Sequence, residues 1–247
     1  MNYPRYDYSG HRVAVIGGTQ GTGLAIAHTF ADAGADVVVT GAQHLTGFYD
    51  ADLSRFHYRQ VALEHQESIV DFAGRVDRVD VLVVAGGPEV ASQLPASDRE
   101  FLAEASRLGL VGPVQIARRL RHQLSASAAQ GGGAVVLTPT ASRWWSVGTT
   151  PTAVTDAAMT AGVVDLAETL GRHGVRANAC LTERPAAPAY HVQIGRSAPH
   201  TSGTLMARPR RVRGSLAEAT RAAVVDVVQF LGSAGAAGIT GQTLRVG

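Results

Sequence analysis

The sequence predicts an α/β fold: a doubly wound parallel sheet with helices on both faces. Three observations carry this. Apolar runs of strand length alternate with helical stretches along the chain, as in a βαβ series. Most of the runs are rich in Val, Ala and Ile without polar alternation, which suits strands buried on both faces. A glycine-rich stretch follows the first run and opens a helix. The 247 residues, 45% hydrophobic and 17% charged, suffice for one well-buried domain and are too few to need two. Residues 1–247 are therefore expected to form a single domain.

The elements follow in order. His11 to Ile16 is the first buried strand, Gly17 to Gly23 a tight loop, and Leu24 to Ala33 its helix. Asp36 to Thr40 is the second strand and Phe56 to Ala62 a short third. Ser68 to Arg75 is helical, and Val79 to Val84 is a fourth strand that closes on Gly86, Gly87 and Pro88. Ser97 and Glu100 form a capping box before a long helix to about His122. Gly131 to Gly133 turns the chain into a fifth strand, Ala134 to Leu137. Thr152 to Arg172 is a second long helix with a small-residue face at Ala157, Ala158, Ala161 and Gly162. Val175 to Leu181 is a sixth strand. Residues 182–214 are Pro-rich and aperiodic, which predicts a mobile segment. Ser215 with Glu218 caps another helix, and Ile239 to Val246 ends the sheet.

Composition excludes several function classes. A net charge of +2 gives no field that would draw nucleic acid or a membrane surface. Cys180 is the sole cysteine, so there is neither an intramolecular disulfide nor a cysteine-rich metal site, and a cytoplasmic protein is expected. No His, Cys or carboxylate pair has convincing metal spacing, so no metal is expected. Met1 to Gly10 is polar and is not read as a signal peptide. No apolar run approaches the roughly 20 residues of a membrane span. All 22 basic side chains are arginine; with abundant Ala and Gly, this fits a GC-rich bacterial gene.

The glycine loop is the most informative motif. Ile16-Gly17-Gly18-Thr19-Gln20-Gly21-Thr22-Gly23 lies between strand and helix, the context that a dinucleotide's pyrophosphate requires. Glycines let the backbone approach the phosphates, and the helix N-terminus supplies N–H donors. A glycine turn kept only for tight packing is the alternative. The loop resembles the Thr-Gly-x-x-x-Gly-x-Gly of the short-chain dehydrogenase/reductase family. Leu166 to Asn178 is similar to that family's active-site helix end and sixth strand. Phe230-Leu231-Gly232-Ser233 and Ile239 to Leu244 resemble its C-terminal segment. The resemblance implies a Rossmann-type sheet of about seven strands and dimers or tetramers formed through the two long helices. It also implies an NAD or NADP site at Gly17, Thr19, Gln20, Gly21, Gly23 and Gly87, and a substrate lid over 182–214.

Most of the family's polar residues do not carry over. The Asn-Asn-Ala-Gly after the fourth strand appears as Val84-Ala85-Gly86-Gly87. The aspartate that holds adenine falls at Ala62. An acid for the ribose hydroxyls of NAD would stand at Gly41, and arginines for the phosphate of NADP at Ala42 or Gln20. Each lost polar contact costs about 1 kcal/mol, so dinucleotide binding is expected to be weak or vestigial. The family's asparagine falls at Gly109 and its serine at Pro139 or Thr140. Its tyrosine falls at Thr152 and its lysine at Asp156. With no lysine in the chain, a Tyr-x-x-x-Lys pair cannot exist. Threonine is too weak an acid to protonate a carbonyl, and an aspartate raises a neighbouring hydroxyl's pKa where a lysine would lower it. Tyr8 and Arg12 have a similar spacing but precede the first strand.

Other residues offer chemistry. Asp156 lies one turn from Thr152 and can act as a general base, or be a helix-start carboxylate satisfied by backbone N–H groups. Trp144 and Trp145 fall in the family's pocket-lining loop, where one can wall an apolar substrate, or both can be core. Tyr190, His191 and His200 fall in the lid segment, where they can meet substrate or be solvated. Arg208, Arg210, Arg211 and Arg213 form a basic cluster, read as a solvated arm or a contact for a carrier's phosphate. Cys180 reads as a small buried hydrophobe. Three functions fit. The first is a non-redox enzyme performing cyclisation, isomerisation or elimination on an apolar metabolite, with Thr140, Thr152 and Asp156 as its catalytic residues and Trp144, Trp145, Tyr190 and His191 lining the pocket. The second is a non-catalytic subunit paired with an active homologue. The third is an atypical NADP-dependent reductase.

Overall fold

The computed structural model describes residues 6–85, 107–138, 151–182 and 214–246; side chains of 107–108, 151–156 and 214–217 lie outside that description. Seven parallel strands form one sheet: β1 (Arg12–Ile16), β2 (Asp36–Gly41), β3 (His57–Gln60), β4 (Val81–Ala85), β5 (Gly133–Thr138), β6 (Val175–Thr182) and β7 (Thr243–Val246). Their order is β3-β2-β1-β4-β5-β6-β7, with Val13 opposite both Val37 and Val81. The chain thus winds outward in both directions from β1, and the switch point lies between β1 and β4. Ligands of such sheets sit outside the carboxyl ends of the strands at that point.

Helices cover both faces. α1 (Gly21–Asp32) and α6 (Gly214–Gly232) share one side. On the other lie α2 (Gln66–Gly74), α3 (Gly112–Arg119), α4 (Arg121–Ser125) and α5 (Pro151–Gly171). The strand alternation feeds both layers. Val13 and Val15 join Ile26, Phe30, Val228 and Leu231 on the first face. Ala14 and Ile16 join Phe72, Ile116, Met159, Val163 and Leu166 on the second. That two-sided demand is why the strands are continuous apolar runs.

Several boundaries differ from the sequence reading. α1 starts three residues earlier, at Gly21, because the glycine loop is shorter than the glycine run. The third strand shortens to His57–Gln60, and the seventh to Thr243–Val246, since Gly241 turns with φ 72° just before it. The described part of the first long helix opens as a wide turn, Arg107–Val111, and breaks at Leu120 between α3 and α4. Leu120 is fully buried, and a 3.6-residue periodicity continues through such a break unmarked. Ser215 falls inside α6, which runs from Gly214, instead of preceding it. The pair Ser97 and Glu100 lies outside the described residues.

The small-residue face of α5 is also reassigned. A Cβ on Gly162 would stand 3.2 Å from Leu110 and 3.4 Å from Val114 of the same chain. Gly162 therefore serves internal helix packing, and the outward stripe is Ala157, Ala161 and Val164. Arg118 and Asp165 tie α3 to α5 at 2.5 Å.

Candidate active site and nucleotide cleft

The glycine loop stands at the switch point. Gly17 and Gly18 donate their N–H groups to the Thr40 carbonyl at 3.1 and 3.2 Å, which ties the loop to the end of β2. Gly17 and Gly21 have φ of 76° and 55°, a conformation that favours glycine. A Cβ on Gly21 would meet nothing within 4 Å, so open space adjoins the backbone there. Gly23 is the opposite case: its Cβ would stand 2.1 Å from the Gly17 carbonyl oxygen and 3.3 Å from Ala85 on β4. Gln20 precedes α1 without capping it, and the first turn holds no acid. The start of α1 is thus a helix N-terminus suited to an anion. Gly17, Thr19, Gln20, Gly21 and Gly23 are brought together as expected, with Thr19 buried and Gln20 exposed.

The adenosine end of the cleft is different. Gly41 closes β2 and is buried. Over it sits Tyr49, whose hydroxyl accepts from the Gln43 N–H at 3.0 Å and lies 3.4 Å from the Tyr58 hydroxyl. Tyr58 donates towards the carbonyls of Gly41, at 3.2 Å, and Gln43. Burial, aided by Tyr49, pushes the Tyr58 phenol up from its ordinary pKa. At Ala62 the backbone N–H is taken by the Ser68 hydroxyl at 2.9 Å. The sequence reading missed Tyr49, Tyr58 and Ser68. No periodicity or motif marks Tyr49, because its role comes from a return of the chain eight residues after Gly41.

The glycine loop offers a seat for a dinucleotide's phosphates, and Tyr49 occupies the space beside Gly41 at the end of β2. No acid or arginine stands at the end of β2 to hold ribose or its phosphate, and the place is filled.

The reaction end is less complete. Thr152 and Asp156 lie one turn apart at the start of α5, so the helix puts them on one face. Neither α5 nor any other part of the chain supplies a lysine, and α5 holds no tyrosine. Gly87, Pro139, Thr140, Trp144, Trp145, Tyr190, His191, His200 and the cluster from Arg208 to Arg213 lie outside the described residues. Thr138, buried at the end of β5, leads into that region. Tyr8 precedes the amino end of β1, opposite the glycine loop: it is buried, donates to the Gln229 carbonyl at 2.5 Å and packs edge-on against Phe30. Burial raises its pKa, and Arg12 is paired with Asp36 at 2.9 Å, so this couple is structural.

Residues 17–247 match the family model described as enoyl-(acyl carrier protein) reductase. The chain belongs to the short-chain dehydrogenase/reductase family. A hydroxysteroid dehydrogenase from Escherichia coli superposes with a TM-score of 0.71 at 18% identity, over 100% of this chain and 98% of that one. A structure described as a short chain dehydrogenase/reductase family protein gives 0.68 at 25% identity, over 97% of each chain. An oxidoreductase of the family from Brucella ovis gives 0.65 at 18%, over 96% and 100%. No curated protein is significantly similar. Members of this family typically bind NAD or NADP. Among the described residues no three His, Cys, Asp or Glu side chains cluster as metal ligands, and no helix is long and apolar enough to cross a membrane.

Proposed function

We propose that this family member is a non-redox enzyme that performs cyclisation, isomerisation or elimination on a small apolar metabolite. One observation carries the reading. The helix that follows β5 offers threonine and aspartate one turn apart, Thr152 and Asp156, in a chain without lysine. In this reading Asp156 takes a proton from the substrate and returns it at another atom, while Thr152 and Thr140 orient the substrate's oxygen. Trp144 or Trp145 supplies the apolar wall, and Tyr190 and His191 close the pocket. A dinucleotide is not required, and the cleft retains only its phosphate seat.

The test has two parts. The pure protein, given NADPH with a panel of ketones and enoyl thioesters, is expected to show no oxidation above background. Sustained NADPH oxidation would return the chain to the reductases that its family model and structural neighbours name, and the phosphate seat supports that alternative. Asp156→Asn is expected to leave folding intact and to stop product formation in the organism that carries the gene. Unchanged product would remove Asp156 from the mechanism.

A second reading, a non-catalytic subunit, is supported by the outward stripe of Ala157, Ala161 and Val164 with the exposed Val111 nearby in the α3–α5 layer. We place a helix-to-helix contact there, with a second copy as homodimer or homotetramer, or with an active homologue.

A further inference from the structure

The geometry points to Tyr49 as the residue that bars adenine dinucleotides from this cleft, by occupying the place where their ribose-holding side chain would begin. The inference rests on the reading of the cleft as a former dinucleotide site and deepens it: the ribose place is closed by an aromatic side chain held by the Gln43 N–H and by Tyr58.

A Cβ on Gly41 would stand 2.1 Å from the Tyr49 hydroxyl oxygen, 2.7 Å from Tyr49 Cζ and 2.9 Å from the Thr19 methyl. No side chain of any kind fits at the end of β2 while Tyr49 is in place. An acid there, which would hold both ribose hydroxyls, is excluded sterically before its charge matters. The seat is also fixed. The Gln43 N–H holds the Tyr49 oxygen, and Tyr58 meets it with ring centroids 6.0 Å apart. Tyr58 is in turn anchored on the Gly41 and Gln43 carbonyls. Val61 N–H closes the same carbonyl of Gly41 at 2.9 Å. One 3-10 turn, Thr46–Phe48, brings Tyr49 back to this position. The Thr19 methyl, from the glycine loop, borders the same space beside Gly41. A dinucleotide reaching the loop would place its adenosine against a side chain whose accepting oxygen is already used.

Calorimetric titration with NADH and NADPH tests this on the whole chain, with a thermal melt of each variant to check folding. Tyr49→Ala is expected to tighten NADH binding about tenfold. Tyr49→Phe, which removes only the oxygen nearest Gly41 and keeps the ring packing, is expected to give a smaller gain, about threefold. Gly41→Asp alone is expected to gain nothing, whereas Gly41→Asp with Tyr49→Ala is expected to gain most and to favour NADH over NADPH. Affinity unchanged or weakened in both Tyr49 variants overturns the proposal, as does a gain from Gly41→Asp alone. The readout is binding only, so this result and the Asp156 result can fail independently.

Discussion

Gly23 lies directly beneath Gly17. A Cβ on the first would stand 2.1 Å from the carbonyl oxygen of the second. Gly23, the last glycine of the loop, is thus required by the fold itself, whatever the cleft binds. Around the missing side chain of Gly21, by contrast, the space is open.

Gly23→Ala should therefore destabilise the chain through overpacking against rigid backbone, by about 1–3 kcal/mol or more. Gly21→Ala should cost less, because only its φ of 55° is strained. Urea titration followed by circular dichroism orders the two. A Gly21 variant less stable than the Gly23 variant would show that the loop packs differently.

Arg176 is a buried cation that donates to four backbone carbonyls. It reaches Gly131 at 3.1 Å, Leu231 at 2.8 Å, Ala236 at 3.0 Å and Ser233 at 3.2 Å. It thereby satisfies the end of α6, where the helix's partial negative charge gathers. Arg176→Met leaves several buried carbonyls unmatched, at about 1–3 kcal/mol each before relaxation. A fall in stability of about 3 kcal/mol or more is expected in chemical denaturation. Arg176→Lys should rescue little, since one ammonium cannot reach the same fork of acceptors. Full rescue by lysine would mean that charge alone matters at this helix end.

Burial pushes the Cys180 thiol up from 9.0 to about 11. Below pH 9 both folded and unfolded chains keep the proton, so this group makes stability independent of pH. Between about 9 and 11 the unfolded thiol ionises and the folded one does not, and stability falls as pH rises. Tyr8 and Tyr58, also raised, act with the same sign further up. Cys180→Ala should flatten part of the alkaline slope. Aromatic disulfide reagents at pH 8 should label Cys180 only on unfolding; rapid stoichiometric labelling of the native chain would contradict its burial.

The stripe on α5 predicts assembly through Ala161 and Val164. Ala161→Arg, on the exposed side, should shift a dimer or tetramer towards monomer in light scattering while leaving the melting temperature nearly unchanged. Gly162→Leu is not an equivalent test, because it would collide with Leu110 and Val114 inside the chain. A wild-type chain that is monomeric at micromolar concentration would sink the prediction.

The succession of strands and helices, the two-faced sheet and the glycine loop were all legible along the chain, because each depends on local pattern. Val13 to Ile16 reads as buried on both faces wherever it ends up, and a strand that runs into Gly17 and Gly21 before a helix has few other geometries. The absent lysine is equally a property of composition. Tertiary contacts settled the rest. That Gly162 faces inward depends on Leu110 and Val114, some fifty residues away. That Leu120 interrupts a helix depends on the core into which it is driven. Gly41 reads in the chain as a missing acid, and becomes a seat for Tyr49 only once an irregular loop has folded back over it. Loop returns and cross-element contacts leave no periodic trace, since their energy comes from surfaces that meet only in the finished fold.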